Sequence, residues 1–241
     1  MPVGVVIGVS SAVLTALVAE IYCHRCLAHR ALRVHPVVAS ALELFFRVTG
    51  GTDAHTWAAI HRLHHRYADT PLDPHSPLQQ RPLAVLLGTP VLYSRARRRL
   101  APDAVPPTDR AHVVLRALLI GGFLAAFGPG QVLVMVGVHL ACYLGTMGAI
   151  NTAGHRIGRK PHPGVPGYDS ALLAIALLGH GYHNSHHAHP AAARTGRFDP
   201  IWPVLRLLAT VGAVDLDGRR SPDGAPPRLC CAASMSVARS L

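Results

Sequence analysis

Glutamate and lysine are nearly missing from this 241-residue sequence, which has two glutamates, Glu20 and Glu43, and one lysine, Lys160. Charged residues make up 15% of the chain, well under the roughly 25% usual in soluble domains. With a mean hydropathy of +0.28, that shortage excludes an ordinary water-soluble globule and excludes disorder over most of the length. Aromatics are also scarce, at 5%. The 23 basic residues, set against 12 acidic ones, therefore do not interleave with stacking side chains. They cluster beside apolar segments, so the net charge of +11 points to a membrane surface and not to nucleic acid. Five cysteines, an odd number without a framework spacing, imply no disulfide scaffold and a reducing compartment. The length suits one domain, or at most two small ones. What is abundant is histidine, at 17 residues. Imidazole is the commonest metal ligand and the side chain that titrates nearest neutrality.

Residues Val3 to Cys23 are apolar or small apart from Glu20, and about 20 such residues are what a helix needs to cross the hydrocarbon core. Met1-Pro2 opens no basic leader and no cleavage signal follows, so a removable signal peptide is not expected. A second apolar block runs from about Ala111 to Phe127, turns at Gly128-Pro129-Gly130 and returns from Gln131 to Ile150. A turn that short makes the two stretches a hairpin of membrane helices. Arg25, Arg30 and Arg33 follow the first span, and Arg156, Arg159 and Lys160 follow the last. By the positive-inside rule these ends are cytoplasmic, with Arg116 snorkelling near the same side. Three spans are thus expected. Amphipathic pieces at Pro36 to Val48, Pro82 to Tyr93 and Ala171 to Leu178 are too short to cross and suit the interface. Arg95, Arg97, Arg98 and Arg99, followed by Pro102, Pro106 and Pro107, form a basic, Pro-rich cytoplasmic loop. The expected organisation is a membrane domain over 1–217 and a disordered tail over 218–241.

The histidines are grouped. His24 and His29 sit at the water line after the first span, His61-Arg-Leu-His64-His65 falls in the first cytoplasmic region, and His183-Asn-Ser-His186-His187 follows the last span. Spacings of three and four place each HxxHH set on one helix face. His24 and His29, five apart, lie about 140° apart on a regular helix and reach one centre only if that helix ends or bends. Asn151-Thr-Ala-Gly-His155 adds an amide and another imidazole. A lone histidine is commonly a satisfied core residue, but three clusters on one side of a membrane are hard to obtain as solvated surface. Nine imidazoles exceed the three or four protein ligands of one zinc and imply two metals. Two glutamates cannot build the carboxylate-rich di-iron bundle. Imidazole suits iron, zinc, copper and nickel alike, so ligand type leaves the metal open.

The ordered set HxxxxH, HxxHH, NxxxH and HxxHH resembles the integral-membrane fatty acyl desaturases of the acyl-CoA and acyl-lipid branch. Asp73-Pro74-His75 is similar to their DPH element and Gly181-Tyr182-His183-Asn184 to their GYHN. Phe198-Asp199-Pro200 through Trp202 and Leu205 to Leu208 is similar to their C-terminal segment, so the likeness covers Ile21 to Asp217. It implies an all-α, multi-pass membrane fold with a cytoplasmic His-rich helical cap and interfacial helices. The family usually has four spans in two hairpins, whereas this chain begins at what would be the second span, so either the true start lies upstream or this is a shortened member. It also implies two iron ions held by His24, His29, His61, His64, His65, His155, His183, His186 and His187, with Asn151 holding one through water. Trp57 matches a tryptophan that lines the bend of the acyl tunnel, or serves as an interfacial anchor. Asp73 and His75, and also Asp69 and Asp169, are expected to orient ligand rings from behind.

The implied reaction takes O2 and two electrons and leaves a cis double bond in a fatty acyl chain carried on CoA, a carrier protein or a lipid. No haem-bearing donor domain is recognised in the chain. Electrons are expected from a separate protein, a ferredoxin or a small haem cytochrome with its reductase, docked on the arginine-rich face. One position departs from the pattern: the family's Gly-Glu before the third box is Gly179-His180 here. The nearest rival is a lipid hydroxylase on the same centre. A rival of another class, a His-rich membrane metal-binding or transport protein, expects its ligands within the spans.

Overall fold

The structure is a computed structural model that describes residues 3–101, 104–105 and 110–216. The expected tail over 218–241 and the prolines Pro102, Pro106 and Pro107 lie outside the described residues. The described chain is mostly helical. Helix α1 (Val3–Val18) runs directly into a π-helical segment (Ala19–Ala28), and strand β1 (Arg33–Val34) follows. Then come α2 (Pro36–Thr49), α3 (Ala54–Tyr67), α4 (Pro82–Arg97), α5 (Arg110–Ala153), α6 (Ala171–Ala176), α7 (His183–Ala188), α8 (Trp202–Thr210) and β2 (Val214–Asp215). The strands pair antiparallel, Val34 opposite Val214, and tie the end of the described chain to the segment after the first histidine box.

Two stretches are long and apolar enough to cross a membrane, Val3–Ala28 and His112–Ala153. Apolar side chains of the second face outward: Leu118 is 67% and Leu133 75% exposed. A soluble protein does not leave so long an apolar band uncovered. α5 is not one rod, because Gly128 has φ 75 and ψ 165, values outside the helical region that glycine adopts without a Cβ clash. On either side of that break, Arg116 donates to the Arg47 carbonyl at 2.6 Å and His139 Nε2 lies 3.1 Å from the Thr49 carbonyl. In an unbroken helix these two residues would be about 34 Å apart. Both reach the same end of α2, so the arms of α5 lie side by side as the Gly-Pro-Gly signal predicts.

α1 packs along α5 through small residues. Gly4, Gly8, Ala12 and Ala16 are buried on one face at four-residue intervals, the pattern that lets helices approach closely where lipid removes the hydrophobic drive. A Cβ on Gly8 would come within 2.6 Å of the Met135 carbonyl oxygen. Replacing Gly8 with Leu is therefore expected to force α1 off α5. Its readout is a fall of several degrees in thermal unfolding temperature in detergent, with loss of the α1–α5 contact by cysteine cross-linking.

α2 and α4 begin at Pro36 and Pro82, where a proline at the first helical position loses no intrahelical bond. Their outer faces carry exposed Val37 and Leu87, and α6 carries Leu172. α8 was not anticipated as a helix, although Trp202, Leu205 and Leu208 at helical spacing carry its signal. Leu205 is fully buried and anchors it to the core.

Candidate metal centre

Four elements deliver the histidines. The π-helical segment resolves the awkward spacing of the first box. Its hydrogen bonds run from residue i+5 back to i, and His29 N donates to the His24 carbonyl at 3.1 Å. The wider turn swings His29 back beside His24, and their ring centroids are 4.8 Å apart. α3 starts at Asp53, whose side chain accepts from Thr56 N at 2.7 Å. Its inner face presents His61 and His64, with His65 beside them. His155 follows the last turn of α5. α7 opens at His183, and Asp169 holds its first turn by accepting from the Ser185 backbone and hydroxyl.

The nine predicted imidazoles come together. Ring nitrogens of His24, His29, His61 and His186 lie within 4.8 Å of one another, and so do those of His64, His155, His183 and His187. His65 sits between the groups, its Nε2 3.0 Å from His186 and its ring stacked on His187 at 4.1 Å. Within the groups, facing Nε2 atoms are 3.0 Å apart for His24 and His186, 2.9 Å for His29 and His61, 2.9 Å for His155 and His183, and 3.3 Å for His64 and His187.

Carboxylates behind three rings decide what those nitrogens carry. Glu20 lies 2.6 Å from His24 Nδ1, Asp73 3.0 Å from His64 Nδ1, and Asp69 3.1 Å from His155 Nδ1. Each Nδ1–H donates to its carboxylate, which leaves the Nε2 lone pair aimed inward. Burial, and then the charge each ring would impose on the others, pushes His61, His64, His183, His186 and His187 well below the ordinary histidine range. The same causes bring His65 down to about 3. Neutral rings with converging lone pairs are what a metal requires of its ligands. A shared proton cannot serve His186, which faces both His24 and His65, or His187, which faces both His64 and His183. Neighbouring nitrogens about 2.0–2.1 Å from one ion stand about 2.9 Å apart at a right angle and about 3.3 Å at the tetrahedral angle, and the observed separations of 2.9 to 3.3 Å lie in that span.

The other predicted residues fall around this cluster. Asp73, pushed up to about 6 by burial, accepts the backbone N–H groups of His75 and Asp69 as well as His64. His75 stacks on His64 at 4.5 Å with both ring nitrogens buried and without hydrogen bonds, and Tyr93 stacks on its other side. Asp169 touches Ser185 and not a histidine ring. The Asn151 side chain bonds Tyr93. Trp57 stacks on His61 at 5.1 Å and lines a cavity of about 370 Å³ between α3, α4 and α5, with Thr89, Tyr93, Leu140, Leu144 and Met147.

Two features were not assigned from the sequence. Asn184 is fully buried and ties down the 162–166 loop, its Oδ1 accepting from His162 N and its Nδ2 donating to the His162, Val165 and Pro166 carbonyls. Glu20, noted only as a charge within the first span, is the carboxylate behind His24. Its four-residue spacing from that histidine, and its place in an apolar run, were the available signals.

Lipid-facing helices whose polar ends converge on histidine ligand groups define a membrane protein with a metal site. Residues 1–210 match the family described as fatty acid desaturase, and the chain belongs to that family. Similar curated proteins include an acyl-CoA C20 Delta5-desaturase of Anemone leveillei, 30% identical over an alignment of 213 positions that covers 78% of this chain and 65% of the relative. An sn-1 stearoyl-lipid 9-desaturase of Synechocystis is 27% identical over an alignment of 206 positions that covers 78% of this chain and 63% of the relative. Acyl-CoA desaturase 1 of Saccharomyces cerevisiae is 28% identical over an alignment of 220 positions that covers 80% of this chain and 42% of the relative. The chain thus spans less than two thirds of the length of each.

Proposed function

We propose that the chain is a multi-pass membrane fatty acyl desaturase that introduces a cis double bond at a di-iron centre held by the nine histidines. The observation that carries this reading is the division of the imidazoles into two four-nitrogen groups, one of them next to a cavity through Trp57, which lines the cavity and stacks on His61. In this reading residues 1–217 form one membrane domain with three spans, α1 and the two arms of α5, and the ligand groups face the cytoplasm. Two iron ions would supply the redox chemistry by which O2, two protons and two external electrons remove two hydrogens from adjacent methylenes and leave an alkene and two waters.

The chain's own residues do the positioning. The acyl chain enters the cavity beside Trp57, whose ring lies against His61 and keeps the methylene pair close to the His24 group. Leu140, Leu144 and Met147 from α5 and Ile60 from α3 exclude water. Glu20, Asp73 and Asp69 fix the ring tautomers, and Asn151, four residues before His155, would hold one iron through a water. A separate electron donor, ferredoxin or small haem cytochrome, docks on the exposed Arg95, Arg97, Arg98 and Arg99. The acyl group would arrive on CoA, on a carrier protein or in a lipid. A transporter's ligands would line the spans, whereas these gather at the helix ends.

The test is expression of the chain in a lipid-producing host, with iron quantified in the purified protein and lipids analysed by mass spectrometry. Two irons per chain and acyl products lacking two hydrogens are expected. Products gaining one oxygen would make it the hydroxylase.

A further inference from the structure

On the Nδ1 side of His24 lies a second buried cluster made of Glu20, Arg25, His180 and Asp199. Glu20 has no exposure and Arg25 has 1%. Glu20 Oε2 accepts from His24 Nδ1 at 2.6 Å, and Oε1 accepts from Arg25 Nε at 2.7 Å. His180 Nε2 lies 3.0 Å from Oε2 but outside hydrogen-bond geometry. The far side of the Arg25 guanidinium donates to the Ala193 carbonyl at 2.6 Å and pairs with Asp199 at 3.0 Å. Asp199 also accepts from Ile201 N and Thr195 N. Two carboxylates against one guanidinium leave one negative charge in excess where no water reaches, a costly arrangement unless a positive charge answers it nearby. Asp199 is satisfied by Arg25 and backbone donors. The excess therefore falls on Glu20, whose other neighbours are the imidazoles of His24 and His180.

The resemblance noted above puts an acid at position 180, where this chain has histidine. That position abuts the same cluster: a Cβ on Gly179 would lie 3.3 Å from both Arg25 Nη2 and Asp199 Oδ1, and the His180 ring centroid is 5.3 Å from that of His24. We propose that Glu20 is the positioning residue of the His24 ligand group, supplying from the π-helical segment the carboxylate expected at position 180. It holds His24 with the proton on Nδ1 and the Nε2 lone pair toward His186. A metal bound by His24 would answer that excess charge. Among the described residues no other carboxylate backs a ring of this group, whereas Asp73 and Asp69 both back the second group. Loss of Glu20 therefore weakens one site and spares the other.

This inference rests on the metal reading above, and its test separates the two. Purified full-length chain in detergent is titrated with cobalt(II), reading stoichiometry by elemental analysis and ligand field by visible absorption, for wild type, Glu20→Gln and Glu20→Gln/His180→Glu. Wild type is expected to hold two ions. Glu20→Gln should keep one at wild-type affinity and bind the other about 10–100-fold more weakly, with that ion's absorption bands shifted. Returning an acid through His180→Glu should restore the second affinity and the bands. Two ions of unchanged affinity and spectrum in Glu20→Gln would overturn the positioning role alone. Loss of both ions, or no recovery in the double variant, would also overturn it, because it would show a general folding role. Wild type holding no ions would overturn the metal reading, and this one with it.

Discussion

His64→Ala and His186→Ala are each expected to reduce product formation more than about 100-fold, beyond the 10–100-fold range typical of residues that only support a ligand. Each should also lower bound iron while the chain still inserts in the membrane. His64 Nε2 faces His187 and its Nδ1 is fixed by Asp73, so its loss opens one group and leaves a buried carboxylate without its donor. His186 Nε2 meets both His24 and His65, so its loss opens the other group and frees the ring between the groups. Neither residue touches the α1–α5 packing that sets insertion. Iron analysis and membrane fractionation on the same samples check both halves, and unsaturated product at wild-type level from either variant would sink the nine-ligand centre.

The second large effect separates substrate from metal. Leu144→Trp places an indole in the cavity lined by Trp57, Tyr93, Leu140 and Met147. Overfilling a packed interior costs about 1–3 kcal/mol, small beside the steric loss of the acyl path. Product should fall to background on long-chain acyl substrates while iron content stays at wild type. Unchanged product would show that the acyl chain runs elsewhere. Loss of iron along with product would show that the cavity wall supports the ligand groups instead.

Much of the centre was legible because metal ligation constrains residue type and spacing together. HxxHH can converge from a single helix face, and two such sets could be paired without knowing the fold. The hairpin at Gly128 was legible for a similar reason, since Gly-Pro-Gly between apolar runs has few other conformations. The behaviour of His24 and His29 was less so: a five-residue spacing fits a regular helix badly, and only the π-helical turn after Val18 shows how both rings meet. Asp69 and Asp169 looked alike in sequence, yet one reaches His155 and the other holds Ser185. Loop carboxylates find their partners through tertiary closure, which local pattern does not encode.

By itself the sequence determined the class of the protein: apolar runs long enough for lipid, arginine at one side, and imidazole in place of glutamate. These are properties of composition and short-range periodicity, and they hold however the helices are arranged. The tertiary structure alone decided how eight of the nine histidines divide into two groups of four with His65 between them, that Glu20 and not residue 180 stands behind His24, and that Asn184 fastens the loop beside the last box. Each of those depends on which elements pack together across 100 or more residues of chain, where a contact is set by the sum of many burials and not by any local signal.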